Sequence, residues 1–176
     1  VSAVHDEARL RFSFDDDWRV LKWDGHAAYL GGLRNFQGTK AVDFFALHLQ
    51  RPWFIEVKDF RGHRIENKDR LGSGDLAREV ACKVRDTLAA LAWACDREPL
   101  DARELRGFLR ALVNRAEKVP IVLWLEADHP LEPAIASTLG EEIKRELGWL
   151  NAKVLVTCRA LAEETPIHGL TVTSLP

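Results

Sequence analysis

At 176 residues, with 47% hydrophobic and 30% charged side chains, the chain is long enough for one domain with a full core and has no biased tract that would keep it disordered. A formal net charge of -2 excludes a protein that coats nucleic acid by bulk charge, so any polyanion would have to meet a local basic patch. The cysteines, Cys82, Cys95 and Cys158, form no CxxC pair, which argues against a structural zinc site or a disulfide framework and for a reducing, cytoplasmic setting.

The chain opens on VSAVHDEARLRF, charged and without the apolar core of a signal peptide. No segment reaches the roughly 20 apolar residues of a membrane span, so no membrane partner is expected. Residues 10–23 read as a strand, a turn around Asp15–Asp17 and a second strand; residues 26–36 are broken by Gly31-Gly32. VDFFALHL (42–49) and WFIEVKDF (53–60) flank the break Gln50-Arg51-Pro52 and predict a hairpin. A charged loop, 61–74, follows. From Asp75 the period turns helical, with Leu76, Val80, Val84, Leu88, Leu91 and Cys95 at spacings of three or four.

Pro99 ends that helix. Asp101 as N-cap, Glu104 three residues on and a Leu100–Leu105 staple start the next. IVLWLEA (121–127) fits a strand buried on both faces. Residues 133–148 form an amphipathic helix, AKVLVTC (152–158) a second buried strand, and GLTVTSL (169–175) a short last one. The expected fold is a single α/β domain over residues 1–176, a mixed central sheet flanked by helices with a C-terminal β-α-β extension.

Chemistry concentrates in the hairpin. Strand side chains alternate, so Phe54, Glu56 and Lys58 share one face and Trp53, Ile55 and Val57 the other. A carboxylate and an ammonium thus project from a strand built for burial, which is costly unless they are paired or coordinate something. Asp43 is the one charged group at the start of the preceding strand. Two carboxylates and a lysine converging at one end of the hairpin suit phosphodiester hydrolysis. Asp43 and Glu56 offer hard oxygens for Mg²⁺ (Mn²⁺ can substitute), the Val57 backbone carbonyl is a further ligand candidate, and Lys58 would orient water or stabilise developing charge. Glu-x-Lys occurs also at Glu66-Lys68 and Glu142-Lys144, but only Glu56-Lys58 sits in an apolar strand behind a strand carboxylate.

The order Val42-Asp43 … Glu56-Val57-Lys58, followed by a long helix and another strand, resembles the PD-(D/E)xK nuclease superfamily over roughly residues 15–125. Val42 replaces the family's proline. The resemblance implies a restriction endonuclease-like core, Mg²⁺-dependent cleavage of DNA, and catalytic roles for Asp43, Glu56 and Lys58. Many members carry a further upstream Glu; between Glu7 and Glu56 this chain has none, which makes Asp24 the substitute candidate. By analogy the partners are DNA and a second copy or a larger nucleic-acid-processing complex.

Arg61, His63, Arg64, Lys68 and Arg70 directly follow Lys58 and form a candidate contact for a DNA backbone, which Arg78 and Lys83 would extend; Glu66, Asp69, Glu79 and Asp86 dilute it. The competing reading is a catalytically inactive interaction module on the same fold. A third is an α/β protein in which Glu56 and Lys58 merely pair.

Overall fold

Short runs with an apolar face, separated by turns, build two sheets in this protein, whose computed structural model describes residues 2–36, 38–62, 72–97 and 102–176. The first strands are β1 (Ala3–Glu7), β2 (Leu10–Phe14) and β3 (Trp18–Lys22), followed by the one-turn helix α1 (Ala27–Leu30). The predicted hairpin is β4 (Phe44–His48) and β5 (Arg51–Asp59), closed by Leu49 and Gln50 at positive φ. The helices α2 (Asp75–Arg97) and α3 (Ala102–Val113) lead to β6 (Val119–Glu126). The chain then runs through α4 (Pro133–Glu146), β7 (Ala152–Thr157), α5 (Arg159–Glu164) and β8 (Leu170–Ser174). The proposed cap Asp101 and staple residue Leu100 lie outside the described residues.

Among the described residues the strands divide into a five-stranded sheet, β3-β4-β5-β6-β7, and a three-stranded sheet, β1-β2-β8. In the larger sheet β3, β4 and β5 run antiparallel, while β6 is parallel to β5 and β7 to β6. The α/β fold class and the mixed central sheet are therefore as expected. The C-terminal extension is not one unit. Strand β7 continues the main sheet, whereas β8 crosses to pair antiparallel with β2, Phe12 opposite Val172. The strand, turn and strand expected over residues 10–23 are present as β2 and β3, and the turn at Asp15–Asp17 carries the chain from the small sheet to the large one.

Each face of the main sheet has its own core. On one side Phe45, Phe54, Ile121 and Leu123 meet Leu76, Val80, Val84 and Leu91 of α2 and Phe108 of α3. On the other, Phe44, Ile55, Val122 and Trp124 meet Leu10, Phe12 and Phe14 of the small sheet. Strand β6, apolar on both faces and covered on both, is fully buried along its length. Each fully buried Phe or Leu contributes about 1.5–3 kcal/mol relative to exposure, so the small sheet is fixed to the large one by apolar packing. Where α1 approaches α2, the ring of Trp93 occupies the space a side chain at Gly32 would need: a Cβ there would lie 2.1 Å from a ring carbon.

Candidate functional site

Asp43 immediately precedes β4, and its carbonyl accepts a 2.8 Å hydrogen bond from the Trp23 amide. The segment before it is held by α2: Thr87 Oγ1 accepts from the Val42 amide (3.1 Å) and Asp86 Oδ2 from the Lys40 amide (3.0 Å). Phe44 is opposite Ile55 in the hairpin. One step further out, the Val57 amide donates to Asp43 Oδ2 at 2.7 Å. The sequence expectation that Asp43, Glu56 and Lys58 gather at one end of the hairpin is met at this level. The contact Val57 makes with Asp43 is through its N–H.

Glu56 is 1% exposed. Its Oε1 takes two ammonium groups, Lys83 Nζ at 2.6 Å and Lys58 Nζ at 3.0 Å. Its Oε2 is buried and has no hydrogen-bond partner among the described residues. Lys58 also donates to Glu79 Oε1 at 2.9 Å. Burial works against the charged lysine, but the carboxylates of Glu56 and Glu79 outweigh it and raise its pKa. Lys83 does not extend an outer basic surface. It lies four residues from Glu79 on one helical face, turned inward to Glu56.

The acidic cluster is larger than the sequence indicated, and its membership differs. Carboxylate oxygens of Glu7, Asp24 and Asp43 lie within 4.8 Å of one another. Asp24, the substitute candidate, is among them, and Glu7 arrives from the end of β1. Glu56 is not one of these three; it stands beside them, bound by its lysines. Lys22 donates to Glu7 and, at 2.7 Å, to Asp24 Oδ1. Burial opposes the Lys22 charge, and these two carboxylates more than restore it. Asp43 is pushed the other way: desolvation first, then the neighbouring charge of Glu56, raise its pKa to about 8, against the pull of Lys83 and the Val57 amide.

These residues fit a hard divalent cation. They offer carboxylate oxygens only, the ligand type that Mg²⁺ and Mn²⁺ favour. Glu56 Oε2 is an unsatisfied buried acceptor beside the cluster. With all groups ionised, five carboxylates (Glu7, Asp24, Asp43, Glu56, Glu79) face three ammoniums (Lys22, Lys58, Lys83), a net 3 − 5 = −2.

Of the proposed nucleic-acid contacts, Arg61 is engaged with Asp59 at 2.8 Å and is largely covered. His63, Arg64, Lys68 and Arg70 lie outside the described residues. His48 stacks on Trp18 with ring centroids 4.5 Å apart, on the face away from Asp43; its Nε2 is buried without a partner among the described residues.

On sequence alone Glu7 falls outside the site, and Lys83 is assigned to the outer basic surface instead of to Glu56. The alternation of Ala3, His5 and Glu7 with outward Val4 and Asp6 was a signal for a strand with Glu7 facing inward. For Lys83 the signal was its spacing of four from Glu79, adjoining the apolar stripe of α2.

No family model and no solved structure matches the chain. A cysteine--tRNA ligase from Neisseria meningitidis serogroup A / serotype 4A is similar to it, 30% identical over 159 residues that cover 76% of this chain and 22% of the ligase. The chain thus spans about a fifth of the length of that relative.

Proposed function

We propose that this chain is a metal-dependent nuclease of the PD-(D/E)xK type, acting on phosphodiester bonds of nucleic acid. The observation that carries the reading is the gathering of Asp43, Glu56 and Lys58 at one end of an antiparallel hairpin with two further carboxylates, Glu7 and Asp24, beside them. The strand order supports it: the Glu-x-Lys strand is followed by the long helix α2, by α3 and by the parallel strand β6, in keeping with the long helix and further strand that the resemblance implies.

Asp43 with Glu7, Asp24 or Glu56 would hold the ion. When bound, Mg²⁺ supplies Lewis-acid activation of water and neutralises charge on the phosphate. The protein's own part is positional and electrostatic. Lys58 presents an ammonium beside Glu56, where it can orient water or stabilise charge on the phosphate. Asp43 keeps a proton near neutrality in the metal-free protein and must give it up to bind a cation. The free thiols Cys82, Cys95 and Cys158 suit a cytoplasmic setting, and no helix among the described residues is long and apolar enough to cross a membrane.

The test is cleavage of labelled duplex, branched and single-stranded DNA and of tRNA, the last because the partial relative is a cysteine--tRNA ligase. Mg²⁺- or Mn²⁺-dependent cleavage that disappears in Lys58→Ala and Asp43→Asn supports the reading. Wild-type protein that binds no divalent ion and cuts none of these leaves a second one, a silent interaction module. That alternative is favoured by one observation: three lysines already neutralise much of the acidic cluster internally.

A further inference from the structure

Asp59, next to Lys58 at the end of β5, is the most heavily bonded carboxylate in the described structure's polar network. Its Oδ1 accepts from Arg61 Nε (2.8 Å), the Arg61 amide (3.1 Å) and Arg9 Nη2 (3.0 Å). Its Oδ2 accepts from Arg9 Nε and Arg61 Nη2, both at 2.8 Å. The two arginines then bond each other's backbones, Arg9 Nη2 to the Arg61 carbonyl at 2.6 Å and Arg61 Nη2 to the Arg9 carbonyl at 3.2 Å. Arg61 reaches on to Ser174 Oγ at 3.0 Å, and the Leu175 amide donates to the Arg9 carbonyl at 3.0 Å.

A single surface ion pair would be worth little. Here two guanidiniums each bond both oxygens of one carboxylate that is itself 5% exposed, and such bidentate bonding fixes geometry as well as energy. What it fixes is the tip of the β1–β2 hairpin against the strand that carries Glu56 and Lys58. The two sheets share no ladder among the described residues, and β1 has a partner on one side only. Glu7 is the last residue of β1, two positions from Arg9 across Ala8 at φ 51.

We propose that Asp59 is a positioning residue that straps the β1–β2 hairpin, through Arg9 and Arg61, so that Glu7 is held where it can ligate a divalent cation with Asp43. This rests on the metal-binding reading above.

The experiment is a calorimetric Mn²⁺ titration of the full chain as wild type, Glu7→Gln, Asp59→Asn, Arg9→Ala, Arg9→Lys and the double variant Glu7→Gln/Asp59→Asn. Asp59→Asn and Glu7→Gln should each weaken Mn²⁺ binding by about tenfold or more. The double variant should lose no more than Glu7→Gln alone, because Asp59 acts through Glu7. Arg9→Lys should retain part of what Arg9→Ala loses. If Asp59→Asn fails to fold, Arg9→Ala, altered at a half-exposed guanidinium, takes its place in the same cycle. Wild-type affinity in both strap variants, or losses that add in the double variant, overturns the strap alone. No Mn²⁺ binding by the wild type overturns the metal reading and the strap with it.

Discussion

Lys83 Nζ lies 2.6 Å from Glu56 Oε1, closer than Lys58 Nζ at 3.0 Å. The two lysines therefore divide their work. Lys83, reaching in from α2, is the main counter-charge of a fully buried carboxylate, and Lys58 is left poised between Glu56 and Glu79. Lys83→Met should cost about 2–4 kcal/mol, since it removes the nearer partner of a buried charge. Lys58→Met should cost less than half of that while abolishing cleavage. Urea unfolding of both variants is the measurement; equal costs would mean that Lys58 is only a structural partner.

Asp43 gives a pH dependence of opposite sense to an ordinary paired carboxylate. Its pKa rises from the usual 3.8 to about 8 on folding. Below 3.8 both states hold the proton; between the two values only the folded state does, so folding takes up a proton and stability falls as pH rises. Above about 8 the penalty is complete. Metal-free protein should lose stability across this window, and Asp43→Asn should flatten the profile and be more stable than wild type by on the order of 1–3 kcal/mol at pH 8. Denaturant midpoints at several pH values with chelator present would show it.

Lys22 sits on the carboxylates of Glu7 and Asp24 that a cation would use. Replacing it with Met removes a competing positive charge. Mn²⁺ should bind Lys22→Met at least about tenfold more tightly, a difference of ~1.4 kcal/mol. Weaker binding in that variant would indicate that Lys22 holds the acids together rather than occupying their place.

Gly32 tests packing away from the chemistry. A methyl group there meets the Trp93 ring at 2.1 Å, so the ring or α1 must move. Gly32→Ala should cost about 1–3 kcal/mol, read by urea unfolding, with Mn²⁺ affinity unchanged.

The hairpin of the site was legible because an apolar strand interrupted by Glu56 and Lys58 has a two-residue period that no helix reproduces. The helices from 75 and 133 and strand β6 were equally plain from their periods. Strand β1 was hidden: the inward side chains of AVHDE are Ala3, His5 and Glu7 while its one strongly apolar residue, Val4, faces outward, and its link to β2 is Ala8-Arg9, without the Gly or Asn that ordinarily marks a two-residue turn. With β1 went Glu7, whose neighbours Asp24 and Asp43 are distant in sequence. The division of strands between sheets was also invisible, because pairing of β2 with β8 depends on which apolar faces meet rather than on any local pattern.

That last pairing has a kinetic consequence. Leu10 of β2 is opposite Ser174 of β8, so the small sheet is completed only when a strand far along the sequence is available to close a long loop. The β4–β5 hairpin and α2 rest on contacts local in sequence and should form earlier. Newly made chains should therefore pass through a stage in which Asp43, Glu56 and Lys58 are already in place while the edge of β2 is still bare. In refolding, pulse-labelled amides of β4 and β5 should gain protection in an earlier phase than those of β2 and β8.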